Sequence, residues 1–212
     1  MRTVVFASQK GGSGKSTLAA CMAVAAVQDG ENVVCVDLDP QGTLAEWGRL
    51  RLAERGEERE LVFRTVKPAD LQAFVDRVAK HGQTTTLLID TAGTFDATVD
   101  RAVRLADFVL VPVRPSAPDL KAARPTVERL RFLGRSFAFA VNGANPITPA
   151  RTAEAVAVLQ AGGDVAPTVS TRTVFSDAMA TGLGVSELEL GGKAAAEIAE
   201  LWTYTKGAST SE

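Results

Sequence analysis

The chemistry of this sequence begins with the glycine-rich segment 10–17, which reads KGGSGKST and directly follows an apolar run. Its three glycines leave the backbone free to turn consecutive N–H groups toward one anion, because a residue without a Cβ atom tolerates the required φ angles. Lys15 can reach the terminal phosphates of a nucleotide, and the hydroxyl of Ser16 can coordinate Mg²⁺. The segment is therefore a candidate phosphate-binding loop, and a helix beginning there would present its positive dipole end to the same anion.

The loop differs in two ways from the general pattern Gly-x-x-x-x-Gly-Lys-Ser. Gln9 stands five residues before Gly14, where the pattern has its first glycine, and Lys10 is a lysine that an ordinary phosphate loop does not need. A glycine-rich turn can arise for steric reasons alone, and a loop lysine is often simply solvated. Gly-Lys-Ser at this spacing after the apolar run 3–7 is more specific, and it favours nucleotide binding.

Three aspartates close expected strands, at the end of an open parallel sheet where ligands bind. Asp37 and Asp39 follow the second apolar run in VDLDPQG, and Asp90 ends another in LLIDTAG, the usual composition of a Walker B strand. Such an aspartate can also cap the helix or turn that follows it. Beside a phosphate loop, however, carboxylates at this edge favour a site that holds Mg²⁺ and orients water.

The segments KGGSGKST, VDLDPQG, LLIDTAG and VPVRPS resemble, in order and spacing, the signatures of the ParA and MinD superfamily of deviant Walker A ATPases. They cover about the first 120 residues, and beyond them only TVSTRTVF, which contains Arg172, resembles a family segment. The resemblance implies a P-loop fold, ATP and Mg²⁺ as cofactors, and hydrolysis of ATP to ADP and phosphate. Lys10 matches the signature lysine that crosses a dimer interface to the partner's nucleotide.

The resemblance also implies roles for individual residues. The catalytic set is Lys10, Lys15 and Asp39, in which Asp39 positions or activates the attacking water. The metal set is Ser16, Asp37 and Asp90, in which Asp37 supports the water shell of the metal and Asp90 bonds a metal-bound water. The nucleotide-binding set is Lys10, Gly11, Gly12, Ser13, Gly14, Lys15, Ser16, Thr17 and Asn142.

Asn142 ends the apolar run SFAFAVN and has two interpretations. Its amide offers a donor and an acceptor to a base edge, and an asparagine after this strand contacts adenine in the superfamily. The pair Asn-Gly is equally typical of a turn. Segment 90–93, which reads DTAG, is an expected switch whose glycine lets a backbone N–H group approach the γ-phosphate.

The function implied by the resemblance is that of a small ParA-type ATPase without an N-terminal helix-turn-helix, since the first expected strand begins within three residues of Met1. Such a protein forms a homodimer with ATP and binds DNA without sequence preference. A ParB-like or small DNA-binding partner stimulates hydrolysis and releases the dimer. We therefore expect a cytoplasmic, nucleoid-associated protein whose cargo is a plasmid, a chromosome region or a protein assembly.

The formal net charge of −2 hides an uneven distribution of charge along the chain. Residues 101–151 contain nine Lys or Arg against three Asp or Glu, whereas residues 152–212 contain three against eight. A basic segment is often a solvated helix face, and no aromatic interleaving indicates base stacking. Under the DNA-binding hypothesis, the candidate contacts are Arg124, Arg129, Arg131, Arg151, Arg172 and Lys193.

Short apolar runs alternate with helix-length segments along the chain. The expected strands are residues 3–7, 33–37, 61–66, 84–90, 108–113 and 137–142. Because these runs are apolar on both faces, they predict a doubly wound α/β fold with a mostly parallel sheet flanked by helices. We expect one P-loop ATPase domain at 1–206 and a flexible tail at 207–212. Cys21 and Cys35 fall in apolar patterns typical of buried thiols.

Three other functions share parts of this pattern. A MinD-like membrane ATPase needs a C-terminal amphipathic helix with basic residues on its polar face, but segment 194–204 has two glutamates and no basic residue. A P-loop metabolic ligase or synthetase would need its own polar substrate cluster, and none is evident. The intact Lys15, Ser16, Asp39 and Asp90 argue against a non-enzymatic scaffold.

Overall fold

The computed structural model describes residues 1–209, and these contain a seven-stranded sheet in which every pairing is parallel. Its strands are β1 (Arg2–Phe6), β2 (Val33–Asp37), β3 (Leu61–Thr65), β4 (Thr86–Asp90), β5 (Phe108–Val113), β6 (Phe137–Ala144) and β7 (Asp164–Ser170). They lie in the order β3-β2-β4-β1-β5-β6-β7. The chain therefore first builds one half of the sheet and then crosses β1 to build the other.

Helices connect the strands and cover both faces of the sheet. They are α1 (Lys15–Gln28), α2 (Thr43–Arg55), α3 (Leu71–His81), α4 (Ala97–Arg104), α5 (Ala117–Phe132), α6 (Pro149–Gln160), α7 (Thr173–Thr181), α8 (Val185–Leu188) and α9 (Lys193–Ala208). One face packs against α1, α2, α7, α8 and α9, and the other against α3, α4, α5 and α6. The predicted doubly wound α/β fold is thereby confirmed, and Cys21 and Cys35 are buried as predicted.

The strand order places a ligand crevice beside β1. β2, β3 and β4, which follow β1 in the chain, lie on one lateral side of β1 in the sheet. The next strands, β5, β6 and β7, lie on its other side. Helices that follow strands on the two sides of such a switch point diverge, so a crevice opens at the carboxyl ends of these strands. The loop between β1 and α1, which contains the glycine-rich segment, lies at this crevice.

The seventh strand was missing from the sequence-based prediction. Segment 164–170 begins with Asp164 and contains Pro167, which lacks an N–H group for a ladder hydrogen bond and is tolerated on an edge strand. β7 occupies an edge of the sheet, where its pairing with β6 is also irregular. The other strands agree with prediction within two residues at each end, and β6 continues past Asn142 to Ala144.

The C-terminal helix is longer than the segment considered in the sequence. α9 includes Lys193 and Lys206 and extends to Ala208, so Gly207 and Ala208, which the prediction assigned to the tail, form the end of this helix. Residues 210–212 of that tail lie outside the described residues, and the domain boundary at 206 stays a prediction. Among residues 1–209, no helix combines the length and apolarity required to cross a bilayer.

A charged cluster attaches α9 to the end of α1. The Nζ atom of Lys206 lies 2.7 Å from Asp29 and 2.8 Å from Glu31, and the hydroxyl of Thr86 donates to Glu31 at 3.0 Å. Burial alone would raise the pKa of the Glu31 carboxyl, but hydrogen bonds from Lys206, Thr85 and Thr86 more than offset it and lower the pKa to about 2.

This lowered pKa predicts a stability loss in acid. A carboxyl whose folded pKa is depressed stabilises the fold above its unfolded pKa, so the contribution of Glu31 disappears as pH falls from about 4.5 toward 2. We expect at most about 3 kcal/mol of the free energy of unfolding to depend on this group, and less where water screens it. Urea unfolding of wild type and Glu31→Gln at several pH values measures the difference. The exposed Glu54→Gln variant serves as control, and an unchanged acid profile in Glu31→Gln would contradict the prediction.

Candidate nucleotide-binding site

The glycine-rich segment forms the turn between β1 and α1. Gly12 and Gly14 adopt left-handed backbone conformations with φ of 73° and 97°, which explains why glycine is required at both positions. Gly14 is the N-cap of α1, and its carbonyl accepts the N–H of Leu18 at 2.9 Å. Lys15, Ser16 and Thr17 form the first turn of the helix. The N–H groups at this helix start therefore face the crevice where an anion would bind.

The side chain of Asn142, in β6, contacts the phosphate-binding loop and supports its backbone. Its Nδ2 donates to the carbonyl oxygen of Ser13 at 2.8 Å, and a Cβ atom added at Gly14 would lie only 2.1 Å from the same Nδ2. The Asn142 side chain thus occupies the space that glycine leaves open. The adenine contact of Asn142 stays a prediction. The turn interpretation was wrong, because Asn142 and Gly143 lie within β6, where Gly143 has a left-handed φ of 72° at an irregular pairing with β7.

Asp90 ends β4 inside the crevice with a fully buried carboxylate. Neither of its oxygens accepts a hydrogen bond of good geometry within residues 1–209. Burial is the largest cause that raises its pKa to about 7; Asp37 and Asp39 raise it further, whereas Ser16 and Lys15 oppose the shift. A buried carboxylate with no hydrogen-bond donor is costly unless a cation or a bound water completes it. The geometry therefore fits the predicted metal role.

Lys15 is buried beside this carboxylate. Burial lowers the pKa of its ammonium group, and the negative charges of Asp90 and Asp39 oppose that effect. A lysine removed from water in this way stabilises an anion strongly, because screening is weaker in a site that excludes water. The burial of Lys15 in the crevice fits the predicted role of this lysine in binding nucleotide phosphates, and that role stays a prediction.

Asp37 and Asp39 perform different tasks after β2. Asp37 accepts the backbone N–H of Asp39 at 2.9 Å and that of Ala45 at 2.8 Å, so its carboxylate holds the loop and the first turn of α2. Burial is the main cause that raises its pKa. Asp39 is partly exposed and accepts the N–H of Gln41 at 2.9 Å. The capping interpretation therefore applies to Asp37, and it remains compatible with the predicted support of a metal's water shell.

The DTAG segment packs directly on the phosphate loop. A Cβ atom added at Gly93 would lie 3.0 Å from the Cα and N atoms of Gly11, so a side chain there would require one of the two backbones to shift by a few tenths of an ångström. The hydroxyl of Thr91 donates to the carbonyl of Phe6 at 2.7 Å, which fixes the start of the segment. The predicted switch segment and the phosphate loop are therefore in contact.

Lys10 is exposed at the outer side of the loop, in contrast to the buried Lys15. Its backbone N–H donates to the Ser8 hydroxyl at 3.2 Å, and the N–H of Gln9 donates to the hydroxyl of Thr126 in α5 at 3.3 Å. The backbone around Lys10 is thus held in place while the residue itself is exposed to solvent. Of the two lysines of the loop, Lys15 is therefore buried in the crevice and Lys10 is exposed on the outside of the loop.

The predicted DNA contacts fall into two groups. Arg124, Arg151 and Lys193 are exposed. The second group has partners within the fold: Arg129 forms a salt bridge of 2.6 Å with Asp100, Arg131, which is also exposed, donates to the carbonyl of Gly162 at 2.7 Å, and Arg172 forms a salt bridge of 2.9 Å with Glu197. These pairings were not predictable from sequence patterns, since the partner of each of the three arginines lies 25 or more positions away along the chain.

A glycine-rich strand-to-helix turn at the switch point of a doubly wound parallel sheet, with a buried lysine and a strand-terminal aspartate, defines a P-loop nucleotide-binding domain. Residues 4–139 match the family model of the CobQ/CobB/MinD/ParA nucleotide binding domain. The chain belongs to this family.

Two curated relatives place the chain near ParA-type members. It is 33% identical over 120 residues to the protein ParA of Rhizobium radiobacter, a match that covers 56% of this chain and spans about half, 51%, of that relative. It is 26% identical over 202 residues to the maintenance of carboxysome distribution protein A of Halothiobacillus neapolitanus, covering 92% of this chain and 91% of the relative.

A solved structure shows the same fold. The septum site-determining protein MinD of Pyrococcus horikoshii, complexed with Mg-ADP, matches with a TM-score of 0.78 at 15% identity and covers 96% of this chain and 95% of that chain. At this level of identity the likeness extends to the fold alone.

Proposed function

We propose that this member of the ParA/MinD family of positioning ATPases dimerises on binding ATP, binds DNA without sequence preference as a dimer, and leaves DNA when a partner protein stimulates hydrolysis of ATP. The observation that carries the proposal is the pair of lysines in one loop. Lys15 is buried against Asp90, whereas Lys10 is exposed. Within a single subunit, the exposed Lys10 would have no phosphate to bind. In a dimer, the nucleotide of a second subunit facing the loop would provide one.

The residues of the crevice fit MgATP. The backbone N–H groups of residues 11–16 and the ammonium group of Lys15 would hold the phosphates, while Ser16 and Asp90, with Asp37 behind them, would hold Mg²⁺ and its water shell. Bound Mg²⁺ neutralises charge that develops on the phosphate oxygens during transfer. The buried oxygens of Asp90 support this assignment, since neither accepts a hydrogen bond of good geometry within residues 1–209.

The protein residues then position the reactants of hydrolysis. Asp39 is partly exposed at the mouth of the crevice, where its carboxylate would orient the attacking water. Lys15 within the subunit and Lys10 from the partner would stabilise the negative charge that spreads over the transferred phosphoryl group. Because Gly93 touches Gly11, the DTAG segment would sense whether a γ-phosphate is present.

Dimerisation would also create the DNA-binding surface. One subunit offers only modest basic patches, and two subunits side by side neutralise more phosphates, each of which adds salt-dependent affinity. The exposed Arg124, Arg151 and Lys193 are the candidates with free access to DNA, and nucleoid association in the cell would follow. A ParB-like or small DNA-binding protein would act as the stimulating partner. The neighbouring gene is the place to seek it, and the partner would define the cargo.

Fluorescence anisotropy tests the proposal. A labelled random duplex is mixed with the protein, Mg²⁺ and either ADP or a non-hydrolysed ATP analogue. We expect binding at least about tenfold tighter with the analogue, and an affinity that falls steeply with salt because phosphate contacts release counterions. Equal affinity with ADP and the analogue would remove ATP control from the proposal. Stimulation of ATP hydrolysis by a small carboxylic acid, without an effect of DNA, would favour a ligase instead.

A membrane role is less well supported by the structure of α9. Its residues Ala194, Ile198, Leu201 and Trp202 are buried against the rest of the fold, so its apolar face is not available to a bilayer. A liposome flotation assay with anionic lipids and the ATP analogue tests this directly. We expect the protein to stay with the soluble fractions.

A further inference from the structure

The carboxylate of Glu197 lies at the centre of a ring of hydrogen-bond donors at the end of β7. Its Oε1 accepts from the hydroxyl of Ser170 and from Nη2 of Arg172, both at 2.9 Å. Its Oε2 accepts from the backbone N–H of Ser170 at 2.9 Å and from Nη1 of Arg172 at 3.3 Å. A backbone N–H, a hydroxyl and a guanidinium fork thus converge on one anion, which is the set of donors with which proteins bind phosphate groups.

This cluster is open to solvent. It lies at the carboxyl end of the sheet, as the nucleotide site does. The side chains of Arg172 and Glu197 are each 21% exposed. Lys193 is exposed one helical turn before Glu197, so it lies on the same face of α9. The N–H of Thr171 donates to the carbonyl of Ala144 at 2.8 Å, only two residues beyond the asparagine that supports the phosphate loop. A macromolecular anion could therefore reach the cluster from outside.

We propose that Ser170, Arg172 and Lys193 form a binding site for a phosphodiester group of the DNA backbone, and that the carboxylate of Glu197 occupies this site until DNA displaces it. The proposal rests on the DNA binding proposed above and names a residue that limits its strength. A carboxylate and a phosphate are both recognised in a bidentate manner by arginine, so one can replace the other. Because Glu197 must first give up its hydrogen bonds, DNA binding stays weak and readily reversible.

Substitution of Glu197, whose carboxylate is proposed to compete with DNA, tests the proposal. We expect Glu197→Gln to raise the affinity for random duplex DNA about tenfold at 0.15 M salt in the presence of Mg²⁺ and the non-hydrolysed ATP analogue, because the competing charge is removed. Glu200→Gln is the matched control: it lies on the same helix, is exposed and loses the same charge, so its gain should stay below about twofold. Arg172→Ala should weaken binding and should cancel the gain when combined with Glu197→Gln.

Several outcomes would overturn the proposal. Equal gains in Glu197→Gln and Glu200→Gln would indicate a general effect of net charge, and a gain that survives Arg172→Ala would place the contact elsewhere. A changed affinity for a fluorescent ATP analogue, with DNA affinity unchanged, would assign the cluster to a nucleotide phosphate. If Glu197→Gln does not fold, Glu197→Asp keeps the net charge but shortens the side chain, so that the carboxylate reaches the donors of Ser170 and Arg172 less well, and we expect a gain of about two- to threefold. A wild-type protein that binds no DNA at any salt concentration would instead refute the proposed function itself.

Discussion

We expect Lys10→Ala to abolish ATP-dependent dimerisation while leaving nucleotide affinity within about threefold of wild type. The reason is the exposure of Lys10, because in the proposed dimer an exposed lysine on this loop would reach the nucleotide of the facing subunit and would contribute little to its own. Lys15→Ala should act differently, because Lys15 is buried beside Asp90 in the crevice. Removing it should lower nucleotide affinity at least about 100-fold, which corresponds to about 2.7 kcal/mol of binding free energy.

Size-exclusion chromatography with light scattering, in Mg²⁺ and a non-hydrolysed ATP analogue, measures the first effect, and titration with a fluorescent ATP analogue measures the second. Lys67→Ala is a suitable control, since it removes an exposed lysine that follows β3, the edge strand three places from β1 in the sheet. Normal dimers of Lys10→Ala would show that Lys10 does not bridge subunits. That result would contradict the proposed dimer, in which two subunits face each other across their phosphate-binding loops.

The parts of the fold that were predictable from the sequence are those that local patterns determine. Continuous apolar runs identified six strands, because a strand buried on both faces has few polar residues. β7 escaped notice because an edge strand tolerates Asp164 and Pro167, so its pattern resembles a loop. The carboxyl ends of the identified strands then indicated where Asp37 and Asp90 would lie.

Contacts between distant segments were not predictable in the same way. Asn142 and Ser13 are 129 positions apart, and their hydrogen bond depends on β6 lying two strands from β1 at the correct height. The chemistry of Asn142 suggested a base contact or a turn, and neither idea includes support of the phosphate loop. In the same way, the charge count presented Arg172 and Arg129 as surface cations, whereas folding places Glu197 and Asp100 beside them. Local sequence fixes the kind of residue available, and topology decides which residues meet.

Gly14→Ala should reduce nucleotide affinity at least about 100-fold, for two separable reasons. The residue has a φ of 97°, a conformation that costs an alanine about 1–2 kcal/mol. Its new Cβ atom would also lie 2.1 Å from Nδ2 of Asn142, far inside contact distance, so either the asparagine or the loop must move. Because the loop carries the N–H groups that hold the phosphates, a shift of the loop disrupts the site itself.

Gly30→Ala is the matched control for the cost of a positive φ at alanine when no steric clash accompanies it. Gly30 has a similar φ of 84°, but a Cβ atom there meets nothing within 4 Å. We expect this variant to lose about 1 kcal/mol of stability and to bind nucleotide normally. The double variant Gly14→Ala/Asn142→Ala removes the clash and keeps the strained φ, so it should bind more tightly than Gly14→Ala alone even though it lacks the hydrogen bond to Ser13. Calorimetric titration with ADP and thermal melts of all four proteins measure these terms. A double variant that binds no better than Gly14→Ala would mean that the backbone conformation, and not the contact with Asn142, makes glycine necessary.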